Sequence, residues 1–117
     1  MKVIIAGSRT LTPSTGLLED CIKASGFEIT EIVEGGAQGV DAAAKFYASE
    51  RNIAVREFPA DWDEHGRAAG PIRNREMARY ADACILIWDG RSRGSASMKR
   101  EADKVGIPVY ERIVDAD

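Results

Sequence analysis

The chain has 117 residues, of which 44% are hydrophobic and 30% charged, a length and composition that suit one globular domain with one core. No apolar run approaches the roughly 20 residues of a membrane span, and the opening run, Lys2–Ala6, is too short for a secretory signal. One histidine excludes a His-rich metal site, and Cys21 and Cys84 are expected to be buried, reduced thiols. We therefore expect residues 1–117 to form a single cytoplasmic domain with no metal and no membrane partner.

The net charge of −3 is unevenly distributed. Residues 64–100 hold eight of the sixteen Lys and Arg and four of the nineteen Asp and Glu, so this segment carries +4 and the rest of the chain −7. An acidic protein with one basic segment favours a small anionic ligand and disfavours nucleic acid as a partner. A solvated helix face is the alternative explanation for most of these arginines.

Hydrophobic periodicity and turn residues predict strands and helices in alternation along the chain. The predicted strands are Lys2–Ala6, Ile29–Val33, Ala54–Phe58, Cys84–Trp88 and Val109–Val114. The predicted helices run from a cap at Thr12–Ser14 to Gly26, through the apolar stripe Val40–Ala48, from Pro71 to about Ala81, and from about Ser95 to Val105. Between the third strand and the third helix, Pro59–Gly70 is predicted to be a long irregular connection, and such connections are often functional.

This alternation predicts a Rossmann-like α/β fold, a three-layer α/β/α sandwich around a five-stranded, mainly parallel sheet. The expected strand order is 3-2-1-4-5, with right-handed crossovers. In such sheets the strand order reverses at a switch point, here between strands 1 and 4. Ligands bind there, at the carboxyl ends of the strands.

Three glycine-containing loops follow strands 1, 2 and 4 and are expected to lie side by side at the switch point. Glycine lets backbone N–H groups approach a ligand, and helix N-termini offer free donors and a positive dipole end. The predicted ligand-binding residues of these loops are Gly7, Ser8 and Arg9, then Gly35, Gly36, Ala37, Gly39, Val40 and Asp41, then Asp89, Gly90, Ser92, Gly94 and Ser95. They predict a site for a small phosphate-bearing ligand, whereas any one loop alone is explained equally well by turn geometry.

Three residues outside the loops complete the predicted site. Trp62, in the long connection, is expected either to stack on a base or to be a core or lid-anchoring residue. Arg73 and Asn74 fall in the predicted first turn of the third helix, where Arg73 could form paired hydrogen bonds with a phosphate. Within the loops, Asp41 is expected to bind a ribose hydroxyl, to fix the glycine loop, or simply to complement the helix dipole.

In this order, five segments resemble the SLOG superfamily: Gly7–Arg9, Glu34–Asp41, Phe58–Trp62, Ala69–Met77 and Trp88–Ser95. Within it, they are most similar to the YspA, cpYpsA-related family, small proteins that are frequent in bacteria and phages. The resemblance implies a Rossmann-like fold that binds nucleotides, nucleotide sugars or NAD-derived signals, with no particular cofactor beyond such a ligand. Related proteins often pair, so a homodimer or higher homo-oligomer is also expected.

Three functions follow from the resemblance. The first is a sensor or binding domain for a nucleotide-derived ligand. The second is a hydrolase of the N-glycosidic bond of nucleoside monophosphates, as in the Lonely Guy proteins, with Asp41 and Asp89 as candidate catalytic carboxylates. Against it, Met98 stands where those proteins carry their catalytic glutamate, and a thioether cannot move a proton. Glu101 lies about one helical turn further along. The third is DNA binding, because Gly35–Asp41 is also similar to DprA.

Overall fold

A five-stranded parallel sheet runs through the centre of the protein, whose computed structural model describes residues 1–114. The strands β1 to β5 are Lys2–Gly7, Glu31–Glu34, Ala54–Glu57, Ala83–Trp88 and Val109–Ile113. Their order is β3-β2-β1-β4-β5, and every neighbouring pair is parallel. The predicted Rossmann-like fold and strand order are confirmed, and the order reverses between β1 and β4 as expected.

Within residues 1–114, five α-helices, α1 to α5, connect the strands: Thr15–Ser25, Val40–Glu50, Trp62–His65, Ala69–Tyr80 and Arg93–Val105, with a 3-10 turn at Gly66–Ala68. Ser14 and Ser92 cap α1 and α5 by accepting hydrogen bonds from first-turn N–H groups. Gly26 and Gly106 end the same two helices in the left-handed conformation that glycine adopts without strain. None of the helices within residues 1–114 has the length and apolar character of a membrane span.

The core has two layers because successive side chains of a strand point to opposite faces of the sheet. On one face, Val3 and Ile5 of β1 pack with buried residues of α1 and α2. On the other, Ile4 of β1 packs with Met77 of α4 and Met98 of α5. Cys21 and Cys84 are both buried and free, as predicted.

The connection after β3 is more regular than the sequence indicated. It contains α3, capped by the carboxylate of Asp61, and α4 begins at Ala69, so Pro71 is the third residue of its helix and not the first. Proline is accepted there because the N–H groups of a first helical turn have no intrahelical partner. Consequently Arg73, predicted in the first turn, lies in the second.

Candidate ligand-binding site

The loop after β1 contacts both of the other predicted loops. Gly7 lies so close to β4 that a Cβ there would collide with the carbonyl oxygen of Ile87 and come within 2.7 Å of Cγ2 of Val40. The next residue, Ser8, is buried and accepts a hydrogen bond from the N–H of Val40 at 3.4 Å through its carbonyl oxygen. Its Oγ accepts a hydrogen bond from the N–H of Asp89 at 3.3 Å. The loops after β1, β2 and β4 therefore meet at the switch point.

Two carboxylates accept hydrogen bonds from the N–H groups of the glycine loop after β2. Oδ2 of Asp41 accepts hydrogen bonds from the N–H groups of Gly35, at 3.1 Å, and Ala37, at 3.3 Å. Oε1 of Glu34 accepts one from the N–H of Gly36 at 2.8 Å. Three successive N–H groups that the sequence assigned to a ligand are thus bound within the protein. Of the three roles predicted for Asp41, these contacts support fixing the glycine loop.

The side chain of Arg73 holds the same loop from α4. Its Nη1 donates to the carbonyl oxygen of Gly35 at 2.6 Å, and its Nε donates to Oδ1 of Asn74 at 2.9 Å. Burial lowers the pKa of this guanidinium, the carboxylates of Asp41 and Glu34 oppose the shift, and the charge of Arg9 adds to it. One nitrogen of the Arg73 guanidinium is therefore bound to the loop. The exposed Arg9 is a second positive charge in the same region.

Asn74 connects α4 to the beginning of α5. Its side chain is buried, and its Nδ2 donates to the carbonyl oxygen of Gly94 at 3.3 Å and to Oγ of Ser97 at 3.2 Å. Val40, also predicted as a ligand-binding residue, is fully buried in the core of the α2 face. Both positions shape the site from behind through these contacts.

The loop after β4 is fixed by its own side chains. Oδ1 of Asp89 accepts hydrogen bonds from the N–H groups of Arg91, at 2.8 Å, and Ser92, at 3.0 Å, and these bonds lower the pKa of Asp89. Oγ of Ser92 accepts the N–H of Ser95 at 3.3 Å and lies 3.0 Å from the Ser95 hydroxyl. Gly90, with φ of 81°, adopts the left-handed conformation. The exposed Gly94 faces open space, since a Cβ there would meet no atom within 4 Å.

Two glutamates at this edge of the sheet were not predicted as site residues. Glu34 ends β2 and Glu57 ends β3, and they are direct partners in the parallel ladder. Glu34 is fully buried, whereas the side chain of Glu57 is 37% exposed and accepts a hydrogen bond from Nζ of Lys45 at 3.2 Å. A charged residue at the end of a buried apolar strand was the available signal for Glu34.

The environment drives the pKa values of these glutamates in opposite directions. Burial, followed by the neighbouring carboxyl of Glu57 and the charge of Asp41, raises the pKa of Glu34 to about 7. The neighbouring carboxyl of Glu34, followed by the contact with Lys45, lowers the pKa of Glu57. With a pKa of about 7, Glu34 holds the proton of the pair below about pH 6, and about half of the molecules keep it at pH 7.

Two exposed aromatic rings lie near this edge, each beside a cavity. Trp62 is 57% exposed and lines a cavity of about 350 Å³ formed by residues 59–63, so it is not a core residue. Phe46 is 61% exposed and lines a cavity of about 410 Å³ between α1 and α2, which also reaches Gly39. Gly39 itself packs against the preceding loop, where a Cβ would lie 2.5 Å from the carbonyl oxygen of Ser8.

The residues that stand in for the Lonely Guy glutamate lie away from the loops. Met98 is 1% exposed and packs in the core of the α4 and α5 face. Glu101 is also buried and is bound by Nε of Arg75, at 3.2 Å, and Nζ of Lys104, at 3.5 Å. Although burial acts to raise it, the pKa of Glu101 is lowered by these two cations. Glu101 therefore stabilises the contact between α4 and α5.

A parallel sheet in the order 3-2-1-4-5, with three short loops meeting at its switch point, defines a Rossmann-like protein. The profile of the YspA, cpYpsA-related SLOG family matches residues 1–65. The Gene 61 protein of Mycobacterium phage D29 is 38% identical over 117 aligned residues, which cover 92% of this chain and 93% of the phage protein. No solved structure matches the chain. The protein belongs to the YspA, cpYpsA-related SLOG family.

Proposed function

We propose that the protein binds a nucleotide or a nucleotide-derived ligand, such as a nucleotide sugar or an NAD-derived signal, and acts as a sensor or binding domain. The observation that carries the proposal is the open N-terminus of α5 at the switch point, beside the loops after β1 and β2. Membership of a SLOG family supports a nucleotide-related role in general.

The phosphate is proposed to bind at the N-terminus of α5. The first-turn N–H groups of Arg93 and Gly94 have no partner inside the helix, and the helix dipole favours an anion there. Gly94 leaves room for close approach, and Arg9 and Arg91 are exposed at the surrounding loops. By contrast, the N–H groups after β2 are already bound by Asp41 and Glu34. The loop after β4 is therefore the better phosphate site of the two.

The sugar and base are proposed to extend toward β2 and β3. The partly exposed carboxylate of Glu57 lies beside Gly36, 3.3 Å from the position of a Cβ there, and can accept hydrogen bonds from sugar hydroxyls. Trp62, on the connection that follows β3, offers a ring on which a base can stack. The ligand would thus lie along the carboxyl ends of β4, β1, β2 and β3.

The proposal is tested by a thermal-shift screen against nucleoside mono-, di- and triphosphates, NAD, ADP-ribose and cyclic nucleotides. A ligand at 100 times its Kd stabilises the folded state by about 2.7 kcal/mol, which raises the Tm of a chain this size by roughly ten degrees. Arg9→Gln should weaken binding of the best ligand about tenfold, because a charge-assisted hydrogen bond contributes roughly 1.5–3 kcal/mol. Arg79→Gln, at an exposed position on α4, is the matched control. A flat screen would overturn the proposal.

Hydrolysis of an N-glycosidic bond is the second candidate function, and the glutamate pair is the observation that favours it. Carboxyls whose pKa values are driven apart recur at acid–base sites, and Glu57, the exposed member of this pair, is the one that a substrate could reach. Asp41 and Asp89, the carboxylates first expected in this role, instead hold backbone N–H groups. This function predicts release of free base from the bound nucleotide, and loss of that release in Glu57→Gln. A ligand recovered intact after long incubation would contradict it.

A further inference from the structure

The carboxyl pair at the ends of β2 and β3 contains an unusual buried atom. Among the buried side-chain nitrogen and oxygen atoms of residues 1–114, Oε2 of Glu34 is the one without a hydrogen-bond partner. Its Oε1 already accepts the N–H of Gly36. A buried carboxylate oxygen that faces no donor is costly, because the charge loses its hydration and gains no replacement bond. A proton on Oε2 removes the charge and turns this oxygen into a donor.

Glu57 has the carboxylate that can accept a hydrogen bond from this protonated oxygen. The two residues are direct partners across parallel strands, so their side chains project to the same face of the sheet, that of α2. One carboxyl that donates to another carboxylate resolves both the unpartnered oxygen and the repulsion between like charges. Lys45 of α2 then compensates the charge that stays on Glu57.

We propose that Glu34 and Glu57 share one proton beneath the glycine loop, and that loss of this proton weakens ligand binding at the switch point. The second clause rests on the function proposed above; the first does not. The charged groups around Glu34 are Glu57 on β3, Asp41 and Lys45 on α2, and Arg73 on α4, with Arg9 behind Arg73.

Loss of the proton adds a negative charge to a site that is proposed to bind an anion. Adjacent strands are about 4.8 Å apart, so the end of β2 is roughly 10 Å from the end of β4. At that separation, a unit charge in a partly screened environment changes the affinity for an anion by about threefold to tenfold. The added charge also competes for Arg73, which holds Gly35. Binding should therefore be stronger at pH 6 than at pH 8.5.

The first measurement needs no ligand: NMR titration of the Gly36 amide and of the Glu34 side-chain carboxyl carbon between pH 4 and 9. Both signals should move with one midpoint near 7, the pKa of Glu34. Glu34→Gln, which mimics the protonated side chain, should abolish the Gly36 transition, and Glu57→Gln should lower its midpoint. Glu50→Gln, exposed on α2, should leave it unchanged. A Glu34 midpoint below about 5, or a Gly36 transition that persists in Glu34→Gln, would overturn the shared proton.

The second measurement is calorimetric titration with ADP-ribose, whose two phosphates keep a constant charge between pH 6 and 8.5. Affinity should fall about threefold to tenfold over this range in the wild-type protein and stay constant in Glu34→Gln. Equal wild-type affinity at both pH values would overturn the coupling to binding. Absence of ADP-ribose binding at either pH would count against the coupling and the proposed ligand class together, and the NMR titration would still decide the shared proton.

Discussion

At the scale of single residues, Gly94 and Gly16 form a natural pair for testing the phosphate site. Each is the exposed second residue of its helix, directly after a serine cap and one helical residue, and neither has a positive φ. A Cβ at Gly16 would meet only the Oγ of Ser14, at 3.8 Å, and a Cβ at Gly94 would meet nothing within 4 Å. Both positions can therefore accept alanine without disturbing the fold.

We expect Gly94→Ala and Gly16→Ala each to stabilise the fold by about 0.5–1 kcal/mol, because alanine is the better helix former. Only Gly94→Ala should weaken ligand binding, roughly tenfold, since a methyl group intrudes where the phosphate is proposed to lie. Urea unfolding and calorimetric titration measure the two effects separately. If Gly94→Ala binds as tightly as the wild-type protein, the phosphate does not sit on α5.

The exposed rings of Trp62 and Phe46 give a second test at this scale. Trp62→Ala should weaken binding of a base-bearing ligand about tenfold, because stacking on an aromatic ring contributes roughly 1–3 kcal/mol per base. Its effect on binding of inorganic pyrophosphate, which has no base, should be small. Phe46→Ala serves as the control, since Phe46 is equally exposed but lies on α2. A reversed result would locate the base in the cavity between α1 and α2.

At the scale of elements, the segment from β2 to α2 depends on one carboxylate. Asp41→Asn keeps the size of the side chain but removes the charge that binds two N–H groups and supports Arg73. We expect a loss of about 1–3 kcal/mol in the free energy of unfolding, measured with urea, because hydrogen bonds to a buried charged group are the stronger kind. Asp63→Asn, exposed in the first turn of α3, should change it by less than about 0.5 kcal/mol. Equal values for both variants would contradict the role of Asp41.

The strands and helices could be predicted from the sequence more accurately than the side-chain contacts of the candidate site. Apolar runs ended by glycine, such as the one before Gly7, identify central strands and their order, because burial on both faces leaves a strong local signal. Whether a polar residue faces a ligand or the protein depends on long-range packing. Asn74 and Val40 were expected at the ligand and instead lie behind the loops. The role of Glu34 could not be predicted from the sequence, because strand pairing alone brings its partner, Glu57, to it.

At the scale of the whole molecule, the protonation of Glu34 should change the free energy of unfolding as a function of pH. Its pKa rises from 4.5 to about 7 on folding, so its contribution is fully present below about pH 4.5 and is lost as pH rises through 7. Each pKa unit corresponds to about 1.4 kcal/mol, which sets an upper limit of roughly 3 kcal/mol for this loss. The pKa of Asp89 is lowered, so its contribution to the stability of the fold is lost as the pH falls through the acidic range.

Glu34→Gln should therefore match the wild-type protein near pH 5 and exceed it in stability near pH 8. The Tm difference at pH 8 should be several degrees for a chain of this size. Thermal unfolding followed by circular dichroism at half-unit pH steps measures it, with Glu50→Gln as the control. A wild-type profile that rises steadily from pH 5 to 8 would contradict this reading of the pair.

The neighbouring residues Arg73 and Asn74 connect α4 to two different loops. Arg73 donates a hydrogen bond to the carbonyl oxygen of Gly35, and Asn74 donates one to the carbonyl oxygen of Gly94. Consecutive residues of an α-helix are about 100° apart, so one residue inserted between Asn74 and Met77, which packs in the core, would rotate both side chains away from their loops. Insertions and deletions between Arg73 and β4 should therefore destabilise the protein far more than those in the exposed α3. We expect related chains to keep the number of residues between Arg73 and β4 constant.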